Sequence, residues 1–590
     1  MDRRVGAALR RRVSDARPGR LLRRARVAGP AALADRFALP LLAAVTALLL
    51  AVLFYYPVAT VFVDAVVEGG RVTFGPLVEV FTDEFYLVRV LGFTAYQALL
   101  STLLSVLLGL PGAWVLARFE FRGRDTLRSV TMVPFVVPSV LVAAAFYATF
   151  GANGTLNAAL SAVGLPELDL LPSLGAVLVA HAFYNAPLVT RVVAAAWESV
   201  DAGAVETARS LGASRRRAFR DVVVPQLLPA LLTGAALTFV FTFATFAIPL
   251  ALGGSQYATI EVFIYSARRQ LEYGRAASLA ALETGVSLSL MALYLRYERA
   301  QAAERRGVRT LARRSLWPDS WSRERAARRL AITGYAVVVA LVFVAPLASM
   351  LYASVSVDGR FTLDAYRFLL ERQATGAAFQ VKPFPAIVNS LLFGAAALAV
   401  ALPLGVAMGV LTTRRFRGRW LVDALSMAPL AVSGIVVGLG LLRGLVFGFE
   451  VFGYRFTVTG AVAIVAAHAV GGYPFVVRTV APPLDRLDRA LVESARALGA
   501  SRARTVLDVE LPLVWPGVVA GAAFAFAISI GEFDATVILA EGGGTYTMPV
   551  AVERFIGRRL GPATAMGTVL LAVTAASFVV IERVGGEFRG

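Results

Sequence analysis

The chain has no cysteine, one lysine (Lys382) and two histidines (His181 and His468) among its 590 residues. The missing cysteine excludes disulfides, iron–sulfur clusters and thiol nucleophiles, and leaves the redox compartment unread. Two histidines so far apart form no local metal motif such as HExxH, so neither a metal nor a catalytic site is expected, and no cofactor. Lys382 follows Gln380-Val381 and precedes Pro383, so it cannot belong to the Gly-Lys-Ser/Thr of a phosphate-binding loop. Charge is scarce as well: 16% of residues are charged and 58% apolar, the balance of a membrane protein. Several apolar runs reach the roughly 20 residues a helix needs to span a bilayer, and none alternates as barrel strands do. The expected class is all-α and integral to the membrane.

The charge that is present, net +19, lies in short clusters between apolar runs. That pattern points to a lipid bilayer as partner and away from nucleic acid. The first 36 residues hold eleven arginines and three aspartates, like the charged part of a signal peptide. The run from Ala38 to about Val63 is too long for one and lacks a clear cleavage site. Residues 1–37 therefore read as a basic cytoplasmic tail before an uncleaved first helix.

Twelve spans are expected, beginning near Ala38, Val88, Leu127, Ser173, Pro229 and Arg275, then near Leu330, Ala386, Trp420, Thr459, Pro516 and Pro562. Arg118, Arg122, Arg124 and Arg128 fill one connection, the loop from about Gly151 to Pro172 has no basic residue, and Arg209, Arg215, Arg216, Arg217 and Arg220 fill the next. By the positive-inside rule both termini are cytoplasmic. Arg268 with Arg269 and Arg558 with Arg559 fall on the opposite side, at similar places in both halves, and suggest a shared external element. A polar stretch over 299–329 reads as a cytoplasmic linker between two repeats, 38–298 and 330–590.

The repeats are visible directly. Asp201 to Phe239 aligns without gaps on Asp488 to Phe526, an offset of 287 residues. The same offset carries His181 onto His468, Pro187 onto Pro474 and Arg191 onto Arg478. Upstream, FRGR recurs at Phe121 to Arg124 and Phe416 to Arg419, with Pro134 matching Pro429; downstream, Glu298-Arg299 recurs as Glu582-Arg583. An even number of spans per half makes the repeats parallel, with a pseudo-twofold axis along the membrane normal and a pathway between the halves.

The best-matched segment predicts a short helix carrying Glu206, Ala208 and Arg209, a glycine break at Gly212 and a serine cap at Ser214 opening a second helix; Glu493, Ala495, Gly499 and Ser501 repeat it. Pro225 and Pro512 are expected to break that second helix. The pattern E-[ST]-A-R-x-L-G-A-S, with proline thirteen residues after the glycine, resembles the coupling loop of binding-protein-dependent ABC transporter permeases. Two halves in one chain resemble the fused permeases of ferric-iron and thiamine importers, over nearly the whole sequence. The resemblance implies twelve transmembrane helices as two parallel six-helix repeats in the MetI-like permease fold. It implies ATPase-coupling surfaces at Glu206, Ala208, Gly212 and Pro225, and at Glu493, Ala495, Gly499 and Pro512. It also implies a dimer of ATP-binding-cassette ATPase subunits as separate chains, an extracytoplasmic solute-binding protein, and a prokaryotic cell membrane. Thiamine and ferric iron are the substrates it suggests. An ion-coupled secondary transporter is the alternative, since it too has twelve helices in parallel halves, but it has no need of the duplicated cytosolic motif.

Acidic residues inside a span cost roughly 2.5–3.5 kcal/mol and face a cavity or a partner. Glu532 and Asp534, expected in the eleventh span, are a cation-friendly pathway wall or a structural pair near the helix end; their repeat counterparts are Thr245 and Ala247. Glu283 is a weaker pathway candidate. Asn185 precedes Pro187, and Gly471-Gly472 precede Pro474, where local distortion can free backbone groups towards a pathway. His181 and His468 read as polar glue between helices.

Overall fold

The computed structural model describes residues 30–68, 70–130, 137–302, 313–315, 323–357, 359–371, 380–414, 416, 418–540 and 542–586. Most of the basic tail and of the linker, and Pro134, lie outside the described residues. Ten helices are long and apolar enough to cross a membrane, and two sharply bent pairs raise the number to twelve if each is one span.

In the first half these are α1 (Ala38–Asp64), α2 (Phe85–Arg118), α3 (Ser139–Ala162) and α4 (Leu174–Glu198). A short α5 (Ala202–Ser210) follows, then α6 (Arg215–Phe243), α7 (Ile260–Arg269) and α8 (Tyr273–Glu298). The second half has α9 (Ile332–Ser354), α10 (Pro383–Thr413), the pair α11 (Arg419–Ala431) and α12 (Gly434–Val446), and α13 (Gly460–Asp485). It closes with α14 (Arg489–Ala497), the pair α15 (Arg502–Leu513) and α16 (Trp515–Gly531), α17 (Asp534–Leu539), α18 (Met548–Phe555) and α19 (Leu560–Ile581).

Several boundaries differ from the sequence reading. A short helix, Arg124–Val130, does cover Leu127, but the helix long enough to span starts at Ser139, after Pro138, which disfavours helix at the residue before it. Its counterpart near Trp420 is a helix that bends by 96° before Gly434, after a 3₁₀ turn at Ala428–Ala431, and the Ser433 hydroxyl accepts from the Val436 amide to open the buried arm. Pro225 does not break its helix. A π-helical turn at Phe219–Val223 absorbs the missing donor and α6 continues through it. In the second half α15 and α16 do bend, by 80°, just beyond Pro512. Arg268 and Arg269 close α7, and Arg558 and Arg559 follow α18, its counterpart. The two short helices are held alike: the Ile260 amide donates to Thr94 (2.9 Å) and the Met548 amide to Ser390 (2.8 Å).

The halves interlock through their first helices. From α1, Tyr55 donates to the Leu425 carbonyl (2.6 Å), and Thr60 to that of Gly440 (3.3 Å). Asp64 accepts from Arg443 at 2.5 and 3.2 Å, and that guanidinium also stacks on Tyr273. Reciprocally, α9 meets α3 through Thr155 and Ser349 (2.7 Å). Part of the linker is tied to the first half: Arg314–Ser315 pairs in parallel with Phe119–Glu120.

Candidate functional site: paired helix–turn–helix segments and a buried polar seam

On one face the two halves present the same small structure. Asp201 accepts from the Gly203 amide (2.8 Å) and Asp488 from the Ala490 amide (2.9 Å), capping α5 and α14. Each helix ends through a left-handed glycine, Gly212 (φ +90°) or Gly499 (φ +93°). The Ala213 amide then reaches the Ala208 carbonyl (3.0 Å), and the Ala500 amide that of Ala495 (3.1 Å). This 6→1 closure is available cheaply only to a residue tolerating positive φ. Ser214 and Ser501 cap the following helices, accepting from Arg217 and Arg504 (3.2 Å each).

Glu206 and Glu493 are exposed, Ala208 and Ala495 half-buried, and Leu211 and Leu498 are 84% and 90% exposed at the turns.

An ion pair lies beside each segment, at the end of the helix before it in the first half and within its second helix in the second, and sequence reasoning missed both. In the first half Glu198 receives Arg124 (2.5 Å), Arg313 (3.3 Å) and Arg128 (3.7 Å), and Arg124 also donates to the Leu116 carbonyl. In the second half Arg414 pairs with the buried Glu510 at 2.5 Å. The repeat offset does not signal the pairs: Glu198 and Arg124 have the ionisable counterparts Asp485 and Arg419, yet Arg419 pairs with Asp423 instead, and Glu510 falls opposite Val223.

Within the membrane, both histidines join helices. His181 contacts Ser101 through Nδ1 (3.0 Å) and Thr245 through Nε2 (3.3 Å). His468 contacts Ser529 and Thr536 (2.8 Å each), with Glu532 3.3 Å from Nε2. No group of three or more metal-ligating side chains converges among the described residues. Replacing His468 by alanine removes contacts to two hydroxyls and one carboxylate, the Glu532 carboxylate keeping its amide partners, whereas replacing His181 removes contacts to two hydroxyls. We expect the His468→Ala chain to be destabilised by about 1 kcal/mol more, at about 1 kcal/mol per lost partner. Thermal unfolding of both variants in detergent measures the difference.

Glu532 and Asp534 do not lie inside the eleventh span. α16 ends at Gly531, Glu532 turns out of it, and Asp534 opens α17. The Glu532 carboxylate accepts from the amides of Ala535 (2.7 Å) and Thr536 (3.0 Å) and from the Thr536 hydroxyl, the bonding of a helix cap. Asp534 has no such role, and its Oδ1 is buried without a partner. Asn185 is buried, donating to the His181 carbonyl (3.0 Å) and to Thr242 (3.3 Å), and Pro187 and Pro474 sit within continuous helices. Neither helix is broken there.

A duplicated, identically closed helix–turn–helix in two interlocked membrane repeats is what a transport permease built from two copies of one unit presents. Residues 105–302 and 401–586 match the family described as binding-protein-dependent transport system inner membrane component, and the chain belongs to that family. It is similar to the probable ABC transporter permease protein y4fN of Sinorhizobium fredii, 28% identical over 76% of this chain and 78% of the relative. It is 23% identical to the ferric transport system permease protein FbpB of Actinobacillus pleuropneumoniae, over 94% and 79%. It is 28% identical to the thiamine transport system permease protein ThiP of Brucella abortus, over 84% and 88%. The protein is thus a multi-pass membrane permease component of an ABC importer, which decides against the ion-coupled carrier.

Proposed function

We propose that the two repeats, 38–298 and 330–590 joined by the linker 299–329, form the entire membrane pathway of the importer, with both termini in the cytosol. A separate dimer of ATP-binding-cassette subunits docks on the paired segments. One subunit contacts Glu206, Ala208 and Gly212, the other Glu493, Ala495 and Gly499, and Pro225 and Pro512 lie where each segment joins its membrane helix. A solute-binding protein delivers substrate to the opposite face, and Asn185, Glu532 and Asp534 belong to the pathway region. The substrate is thiamine or ferric iron, by similarity to relatives so named.

The observation that carries the reading is the matched closure of the two segments, with the same caps, the same left-handed glycine and the same exposed leucine. Small alanines at half-buried positions let a partner approach the helix closely. The test is co-purification from detergent-solubilised membranes, wild type beside Glu206→Lys with Glu493→Lys. An ATPase is expected with the wild type and its loss, or loss of coupled hydrolysis, with the variant. A chain that purifies alone and drives uptake from an ion gradient without ATP overturns the proposal.

A further inference from the structure

The two halves meet along two pseudo-equivalent seams, and among the described residues only one of them carries a cluster of carboxylates. Glu261 on α7 and Glu283 on α8 come from the first half, and Asp534 at the start of α17 comes from the second. Between them lies the opening turn of α12, whose Ser433 hydroxyl faces Glu261. Glu261 and Glu283 have no exposed surface. Glu283 is satisfied locally, accepting from Ser287 (2.7 Å) and Thr284 (3.4 Å). Glu261 is held less well: neither carboxylate oxygen has a partner of ordinary hydrogen-bond geometry, the Ser433 hydroxyl is the donor that faces it, and its charged neighbours are Glu283 and Asp534.

No cation answers them. None of the three makes an ion pair among the described residues, and the histidine nearby, His468, is occupied by Glu532, Ser529 and Thr536. Arg268, two turns along α7 from Glu261, donates to the Ile538 carbonyl instead. At the other seam the matching positions cannot ionise. Asp534 corresponds to Ala247 by the repeat offset, and Glu261 to Pro549 by the shared anchoring of Ile260 and Met548. A structural role common to both halves would appear twice.

Buried carboxyl groups either hold a proton or, when ionised, persist where something positive compensates them. Asp534 and Glu532 are only partly buried, whereas Glu261 and Glu283 have no exposed surface, so the accessible end of the cluster is at Asp534. We infer that this seam is a cation-accepting station of the transport pathway, where Asp534, Glu261 and Glu283 meet the positive charge of the solute as the halves separate. The inference rests on the importer reading and adds the charge class of its cargo. The carboxylates do not converge as metal ligands do, whose oxygens must approach to about 2.0–2.6 Å together, so the spacing favours a delocalised organic cation over a bare metal ion.

The natural absence of cysteine makes the test direct. Ser433→Cys places the only thiol of the chain beside Glu261, and Phe452→Cys places a control thiol at the tip of the hairpin 449–456, where Phe452 is 97% exposed. Both are treated in membrane vesicles, with and without ATP, with a trimethylammonium and a sulfonate methanethiosulfonate reagent. The ratio of cationic to anionic rates at position 433 is expected to exceed that at 452 at least about tenfold, the focusing a one-sign cleft provides. It should fall to the control ratio when Glu261→Gln and Asp534→Asn are added, and thiamine should slow the reaction more than ferric iron does. Equal ratios at the two positions, a ratio untouched by the neutral variants, or a thiol inert to both reagents overturns the inference. Stronger protection by ferric iron overturns its organic-cation part. These results are read independently of the co-purification, so loss of the ATPase partner counts against the importer reading and a flat ratio against the carboxylate station.

Discussion

Substituting Gly440 with leucine should disrupt the clasp between the halves. A Cβ at Gly440 would lie 2.3 Å from the carbonyl oxygen and 2.6 Å from the carbonyl carbon of Pro57, so the obstacle is the backbone of α1 rather than a side chain able to rotate away. This contact joins the first helix of one repeat to the third span of the other, where Thr60 bonds the Gly440 carbonyl and Arg443 pairs with Asp64 one turn further on. Overpacking of a close interface costs about 1–3 kcal/mol even where side chains can adjust. A leucine here has less room than that, and even alanine should be costly. Gly285→Ala is the control: a Cβ there meets nothing within 4 Å, so exchange should be neutral or gain up to about 1 kcal/mol of helix stability. Thermal unfolding and size-exclusion profiles in detergent compare them. If Gly440→Ala unfolds no earlier than Gly285→Ala, the close crossing of α1 and α12 is not what joins the halves.

The second large effect should come from the unlike ion-pair braces. Arg414→Ala leaves the Glu510 carboxylate, whose side chain is 4% exposed, without its cation. Breaking a buried pair from one side costs about 3 kcal/mol or more, because the remaining charge stays in a poor solvent. In the first half Glu198→Ala strands Arg124, which is 6% exposed, although its bond to the Leu116 carbonyl remains and softens the loss. Each change should loosen the helix–turn–helix segment beside it and spare the other. Both segments are rich in arginine, so limited trypsin digestion reports opening directly. Cleavage near Arg502 and Arg504 should quicken more than about tenfold in Arg414→Ala, and near Arg215 to Arg217 by a smaller factor in Glu198→Ala, since cutting follows the open population. Equal acceleration of both segments in either variant would mean that the braces act on global stability alone.

Much of this protein was legible in one dimension for a physical reason. A bilayer demands long apolar helices, so composition and run length identify them, and a gapless offset of 287 residues exposes the repeat and pairs both histidines. The docking segments were legible because their conformation is local. A serine cap and a glycine needing positive φ constrain only their immediate neighbours, and the structure returns the same closure at Gly212 and Gly499. Tertiary structure decided whatever depends on residues distant in the chain. It replaced a proline break at Pro225 with a π turn, bent the ninth span by 96°, and moved Glu532 from a span interior to a helix cap. It also brought Glu261, an unremarked residue between two spans, against Glu283 and Asp534. Periodicity and offset report what one segment or one repeat does. Which carboxylates share a seam, and which arginine braces which glutamate, depends on how two half-matching repeats pack, and there the copies have diverged.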